Sequence, residues 1–507
     1  MKLKQDTVCH TCRAHKIGCD GKLPICSQCC LTGRQCGGYK LDTVFVPYTA
    51  KTLPRSSRKA QSTKRSAEVL SNIGSAARII GCNITGTDAR QLRRCQISRP
   101  INSASSDEFT AVILNLFVPR CQQNLPSLDT STSQVCGAWV GVLPSLVARA
   151  GSRELISSAT KAFGTIILDR SHQGKNTSFQ CREAYIATLQ QLKNDLLSPK
   201  NFFRIETAAA IVCLAMVELM LPTSGDGIPA HFGGLGALIS LFPPELFSSG
   251  DFHAIFVGCR PVLLFQALTA RKSTFLGQEK WLITPFRHHP PSEIQTLIGD
   301  AANLPSIMEE VDVLQTLPQE SAVLRAYKMK IMLEEVLGRL LKWNGRFGRD
   351  ANGPPDPSQQ MEVLDCPQHA ESHFWFPSLL AANVHTHMWA FQIMCLTELE
   401  KLTPYLSDHN YACKAGEGQK GIDARISVFA ASICQCMKYL LQDEMKLFGP
   451  ASALFPLKIA YEVLDRDRER NKEQIERCWR LFDQIRDRGY LSRFLYPTER
   501  REIEICT

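Results

Sequence analysis

The sequence predicts a mostly α-helical protein: a small cysteine-built module at the N-terminus, then a large all-helical region. Three observations carry that reading. Apolar residues recur at helical spacing along most of the chain with little strand-type alternation, seven of the 21 cysteines crowd into residues 9–36, and the excess positive charge is confined to the first 65 of 507 residues.

The helical region starts at about Glu108. Leu155, Ala159, Ala162 and Ile166 form one apolar stripe, Tyr185, Leu189, Leu192 and Leu196 a second, and the window from Val323 to Leu341 a third, longer one. The stretch from Thr207 to Pro222 is apolar on every side, but it is too short to cross a bilayer and carries Glu218, so it reads as a buried helix. Breaks are expected at Asn344–Gln360 and Ser407–Asp423, where glycine, proline and polar residues gather. The run from Asp465 to Arg470 alternates in charge and reads as a solvated, ion-paired helix face.

Composition fits a globular chain of two or three domains with no membrane partner: 44% hydrophobic, 21% charged, mean hydropathy −0.11. The N-terminus has no apolar segment of the signal-peptide kind, which places the protein inside the cell and its thiols in a reducing compartment. Clustered cysteines are therefore read for metal and scattered ones for packing.

The cluster spells C-x2-C-x6-C-x6-C-x2-C-x6-C at Cys9, Cys12, Cys19, Cys26, Cys29 and Cys36. A C-x2-C turn brings two sulfurs within chelating reach, and the third thiolate of each half fills another corner of a tetrahedron. Two tetrahedral zinc ions need eight ligand positions, and six sulfurs provide them only if two thiolates bridge both metals. A single-zinc site from Cys9, Cys12, Cys26 and Cys29 would strand Cys19 and Cys36 at matched positions. A zinc deaminase fails because no H-x-E precedes and Ile25 separates Pro24 from Cys26. Cys30 is surplus to the pattern and reads as a packing residue.

Residues 1–65 carry thirteen Lys and Arg against three Asp and Glu, a formal +10, and the rest of the chain sums to −1. Such asymmetry points to a polyanionic partner of the cysteine segment.

The six-cysteine spacing, with Arg13 after the second cysteine, Lys16 in the first loop, Asp20 after the third, Pro24 before the fourth and Gly38-Tyr39 after the sixth, resembles the fungal zinc binuclear cluster transcription factors. The resemblance implies two zinc ions per chain, with Cys9 and Cys26 bridging, Cys12 and Cys19 completing one site and Cys29 and Cys36 the other. It implies a nuclear regulator of RNA polymerase II genes that binds double-stranded DNA through a short helix in the major groove, the helix's amino end presenting side chains to base edges. Candidates lie between Cys12 and Cys19. Lys16 is the residue expected to read guanine acceptors of a CGG-type triplet. Arg13, Lys22 and Arg34 are expected on phosphates. His15 and Gly18 stand where basic residues are usual, which motivates an alternative: a zinc-folded nuclear adaptor or coregulator with little sequence-specific DNA binding.

Residues 41–107 read as a basic linker, with Arg58-Lys59 and Lys64-Arg65 as a nuclear-import and phosphate-contact candidate. Between Ser66 and Ser105 no a/d heptad persists and Gly74, Gly81 and Gly86 interrupt it, so no coiled coil is expected, and monomeric binding to one triplet or a homodimer through the larger domain is expected instead.

Over residues 108–507, Trp139 near Leu143-Pro144, His231 to Gly236 opening a helix, Arg260, Phe275-Leu276 with Trp281, Phe455-Pro456-Leu457, Trp479 and Gly489 resemble the fungal-specific transcription factor regulatory domain. That resemblance implies a coregulator or small-molecule effector as its partner. Residues 1–40 are then the DNA-binding domain.

No Walker A or G-x-S-x-G motif occurs, and Gly233-Gly234-Leu235-Gly236 lacks dinucleotide-binding spacing, so no enzyme is expected. Cys366, His369, His373, His385 and His387 are metal-capable types, but His385 and His387 lie two apart on a helix and face different ways.

Overall fold

The computed structural model describes residues 10–20, 26–32, 34, 105–119, 138–150, 154–171, 178–197, 204–223, 226–347, 376, 378–406 and 412–491. They fall into two separate units, one within residues 1–65 and one within 66–507. Among the described residues the elements are α-helices and short 3-10 turns, and no strand occurs. The predicted linker over 41–107 lies almost wholly outside the described residues, as do Cys366, His369 and His373.

The first unit contains two five-residue helices, α1 (His10–Ala14) and α2 (Ser27–Leu31). The second begins with α3 (Ser106–Phe117), whose start is a reciprocal capping box: Ser105 Oγ accepts from the Glu108 backbone N–H at 3.3 Å, and the Glu108 carboxylate accepts from the Ser105 N–H at 2.7 Å. Short helices α4 (Ala138–Gly141) and α5 (Leu143–Arg149) follow, Pro144 sitting in the first turn of α5 where its missing N–H costs nothing.

The long helices come next: α6 (Leu155–Ser171), α7 (Ser178–Leu197), α8 (Ile205–Met220) and α9 (Gly227–Ser240). The stripe Leu155, Ala159, Ala162 and Ile166 is buried on α6. On α7, Tyr185 and Leu192 are buried, whereas Leu196 near its end is 42% exposed. As its all-round apolarity predicts, α8 is enclosed on every side. The contact of α3 with α6 is close: a Cβ on Gly164 would lie 2.6 Å from a ring carbon of Phe109, so only glycine fits.

Next comes α10 (Gly250–Ala270), which by length and composition is apolar enough to cross a membrane and so corrects the expectation that Thr207–Pro222 comes nearest to such a span. One side of it buries Ile255, Phe256, Cys259, Leu264 and Leu268, and with them Arg260. The Arg260 guanidinium donates to the Gln295 backbone oxygen at 2.6 Å and lies 5.1 Å from the centre of the Phe286 ring; burial pulls it down to about 9.

The chain continues through α11 (Glu279–Ile283), α12 (Glu293–Ala301), α13 (Leu304–Val313), α14 (Gln319–Phe347), α15 (Leu379–Leu406), α16 (Ala412–Leu440), α17 (Phe448–Leu464) and α18 (Lys472–Asp487). At the centre of this half is α15, buried from Ala381 to Leu396 and packed by α14, α16 and α17.

Several sequence expectations are corrected here. The predicted break Asn344–Gln360 does not begin at Asn344, because α14 runs on to Phe347 beyond Trp343, which is buried and donates its indole N–H to Asp300 at 2.9 Å; residues 348–360 lie outside the described residues. The break at Ser407–Asp423 is shorter, because α16 already begins at Ala412 despite Gly416, Gly418 and Gly421; its downstream face, Ile426, Ala430 and Ile433, packs into the core. Pro456 sits inside α17, and His231 lies within α9 instead of opening it. Asp465 to Arg470 is no helix face but a 3-10 turn and loop that ends α17, its charges paired as Arg466–Glu400 (2.8 Å) and Arg468–Asp465 (2.8 Å).

Candidate metal centre and nucleic-acid interface

Among the described residues, the two halves of the cysteine repeat share one element. In each, the second cysteine of the C-x2-C pair sits on a short helix: Cys12 on α1 and Cys29 on α2. Cys26 lies just before α2 and caps it, its Sγ accepting from the Cys29 backbone N–H at 3.3 Å. This leaves Cys12, Cys26 and Cys29 fully buried side by side, with Ile17 and Cys19 packed against them.

The sulfur separations are informative. Cys12 Sγ lies 3.6 Å from Cys26 Sγ and 3.8 Å from Cys29 Sγ. A disulfide would need about 2.05 Å. Four thiolates about 2.3 Å from a central zinc in a tetrahedron stand about 3.8 Å apart, an edge length that the Cys12–Cys26 pair keeps, whereas Cys12 and Cys29, which the resemblance assigns to different zincs, stand equally close. Cys19, Asp20 and Cys26 form a second grouping, their ligand atoms within 4.8 Å of one another. Cys26 is common to both groups. The Asp20 carboxylate is engaged with the protein, accepting from the Ser27 backbone N–H at 3.1 Å, where it ties the first half of the repeat to the start of α2. Cys9, Cys36 and Lys22 lie outside the described residues; Cys30 is exposed instead of packed.

Both helices end on a backbone hydrogen bond that spans five residues. The Ile17 N–H donates to the Cys12 carbonyl at 3.0 Å and the Lys16 N–H to the Arg13 carbonyl at 3.2 Å, the bond pair of a Schellman stop, with Ile17 supplying the apolar contact back onto Cys12. At the end of α2 the Arg34 N–H donates to the Cys29 carbonyl at 3.0 Å, the same offset of five residues.

The stop in α1 puts Lys16 in the left-handed region, with φ 52°. Glycine is the usual residue there, and a side chain costs roughly 1–2 kcal/mol. In the second half the equivalent sequence position is Gly33. Lys16 thus occupies the corner where a helix ends, and its side chain is exposed together with those of Arg13 and His15; Arg34 is exposed at the end of α2. The candidates do not lie at a helix's amino end: α1 spans His10–Ala14, so Arg13 is in its last turn and His15 and Lys16 lie beyond its carboxyl end.

Two contacts go beyond the sequence reading, which has Ile17 only as one of the residues between Cys12 and Cys19 and Asp20 only as part of the resemblance: the packing of Ile17 on the thiols and the Asp20–Ser27 bond. Ile17 was detectable as the one large apolar residue in an otherwise polar loop, whereas nothing in the sequence marked the Asp20–Ser27 link.

In the large unit, His385 and His387 are accounted for by the helix itself. Their Nδ1 atoms each lie 2.7 Å from the carbonyl oxygen four residues back, Ala381 and Asn383, and the rings meet different aromatic groups: Phe376 and Trp389 for His385, Phe265 and Phe455 for His387.

Residues 7–43 match the family model of the fungal Zn(2)-Cys(6) binuclear cluster domain. Comparisons with curated proteins and with solved structures found no match. A domain of this kind binds two zinc ions through its cysteines and marks a family of DNA-binding transcription regulators, not of enzymes.

Proposed function

We propose that this chain is a nuclear, sequence-specific regulator of RNA polymerase II genes whose zinc cluster reads CGG-type triplets in the major groove. Cys12 and Cys19 complete one zinc site, Cys29 and Cys36 the other, and Cys9 and Cys26 bridge the two. Zinc supplies the folding free energy, since a module of this size buries too little apolar surface to fold alone. Lys16 donates to guanine O6 and N7, while Arg13, Lys22 and Arg34 hold phosphates beside His15. The basic linker over 41–107 adds nuclear import and salt-sensitive phosphate contact, and the helical region over 108–507 receives a coregulator or small effector.

The observation that carries this reading is the stop of α1. It fixes an exposed lysine in a backbone conformation lysine rarely adopts, directly beside a buried thiol cluster with zinc-site spacing. Strain of that kind persists where the side chain is used.

The test is titration of the zinc-loaded full chain onto fluorescent duplexes with and without a CGG triplet, at several salt concentrations. Selective binding that weakens with salt and is lost in Lys16→Ala supports the regulator. Binding without preference at moderate salt supports a zinc-folded adaptor instead.

A further inference from the structure

Cys434 on α16 and Cys478 on α18 belong to the scattered cysteines that the sequence reads as packing residues. Their sulfurs lie 3.4 Å apart across 44 residues of sequence, both thiols buried and neither in a disulfide. Among the described residues no third His, Cys, Asp or Glu ligand atom joins them, so the pair lacks the donors of a metal site.

Both sides of the contact are held. On α16, Ile433 and Met437 beside Cys434 are fully buried in the core. On α18, the rings of Trp479 and Phe482 stand edge-on to Tyr461 of α17, at 5.3 and 6.2 Å. A disulfide needs sulfurs about 2.05 Å apart, so the two have only about 1.4 Å to close.

We propose that Cys434 and Cys478 are a reversible redox pair, oxidised by a peroxide to a disulfide that staples α18 to α16 and reopened by a thiol reductant. One sulfur attacks a peroxide oxygen and the O–O bond breaks, leaving a sulfenic acid and one water. The other sulfur then attacks the sulfenic sulfur, the S–O bond breaks, and the hydroxide leaves with the thiol proton as a second water. Both sulfurs are oxidised and both peroxide oxygens reduced. The hydrogen bond to Cys434, together with burial, pushes the Cys478 thiol up, and the thiolate is the attacking form, so the pair rests reduced and reacts only where peroxide persists. The product carries no charge and suits a dry core. All of α17 lies between the two cysteines, so the bond closes α16, α17 and α18 into one covalent ring. This pair lies in the helical unit and is independent of the reading of the zinc module.

The test treats the zinc-loaded full chain with millimolar hydrogen peroxide, alkylates the remaining thiols, and maps peptides by mass spectrometry before and after dithiothreitol. The expected product is a Cys434–Cys478 linked peptide pair that the reductant separates, formed while far-UV circular dichroism stays unchanged. Oxidation is also expected to raise the melting midpoint of the helical unit by roughly 5 °C, a rise that Cys434→Ala abolishes and Cys436→Ala keeps. The peptide map uses the wild type alone, so it does not depend on how well a variant folds. Free thiols at both positions after peroxide overturn the proposal, as do sulfinic acid at either, a disulfide to any other cysteine, or a rise that survives in Cys434→Ala.

Discussion

The guanidinium of Arg271 holds the carboxylate of Glu398 with two parallel hydrogen bonds, Nη1 to Oε1 at 2.7 Å and Nη2 to Oε2 at 2.8 Å, across 127 residues of sequence. The same arginine ends α10 in the left-handed conformation (φ 52°) and grips Asp312 on α13 at 2.6 and 2.7 Å. Three helices, α10, α13 and α15, are thereby joined by one side chain. The Glu398 side chain is only 2% exposed, and Lys401 is its other cationic contact, at 2.9 Å. Arg271→Ala is expected to destabilise the helical unit by about 3 kcal/mol, because it leaves a buried carboxylate with the Lys401 contact alone. Arg271→Lys is expected to recover less than half of that, since an ammonium cannot form the fork. Urea unfolding midpoints measure both.

On the function proposed above, folding and recognition make opposite demands at Lys16. Lys16→Gly relieves the left-handed backbone and is expected to leave the zinc cluster as stable or up to about 1 kcal/mol more stable. The same change is expected to cost about 1–3 kcal/mol of binding to a CGG duplex. Chelator titration reads the first quantity and fluorescence anisotropy the second.

Gly18 offers a gain of affinity. A Cβ at that position meets nothing within 4 Å, so a larger side chain fits without moving its neighbours. Gly18→Lys is expected to strengthen DNA binding at low salt and to steepen the log–log salt dependence by about one unit, as one more phosphate contact does. Selectivity for the triplet should change little, which competition with an unrelated duplex measures.

Acid should loosen the helical unit before it protonates the carboxylates. Burial pushes both His231 and His387 from 6.5 down to about 4. The folded state therefore refuses protons that the unfolded chain accepts. Stability from these two residues is full above pH 6.5, falls as pH drops from 6.5 toward 4, and levels below that. His387 stacks at 5.0 Å on Phe265 and at 6.1 Å on Phe455. His387→Phe keeps a ring in that stack and is expected to flatten part of the decline, seen as a smaller change of urea midpoint between pH 7 and about pH 4.5.

The cysteine module was legible because metal ligation needs donors of one type at narrow spacings, and both the count and the intervals of Cys9 to Cys36 are visible in one dimension. The apolar stripe of α6 and the enclosed α8 were legible for the same reason, since burial imposes a period. The end of α1 was not. Helix stops are read from glycine or asparagine, and here Lys16 takes the left-handed position while the visible glycine, Gly18, comes two residues later. The glycines at 416, 418 and 421 misled in the other direction, suggesting a loop where the buried face downstream holds α16 together. Arg271 and Glu398 could not have been paired from sequence, because no local rule joins residues so far apart.

The repeated C-x2-C-x6-C spacing gives the small module a near-duplicate sequence frame, and a duplicated frame by itself has no front or back. Lysine at the left-handed corner of one half, against glycine at the matching sequence position of the other, removes that ambiguity. On the function proposed above, only the lysine-bearing half faces the bases, so the module would read its site from one side.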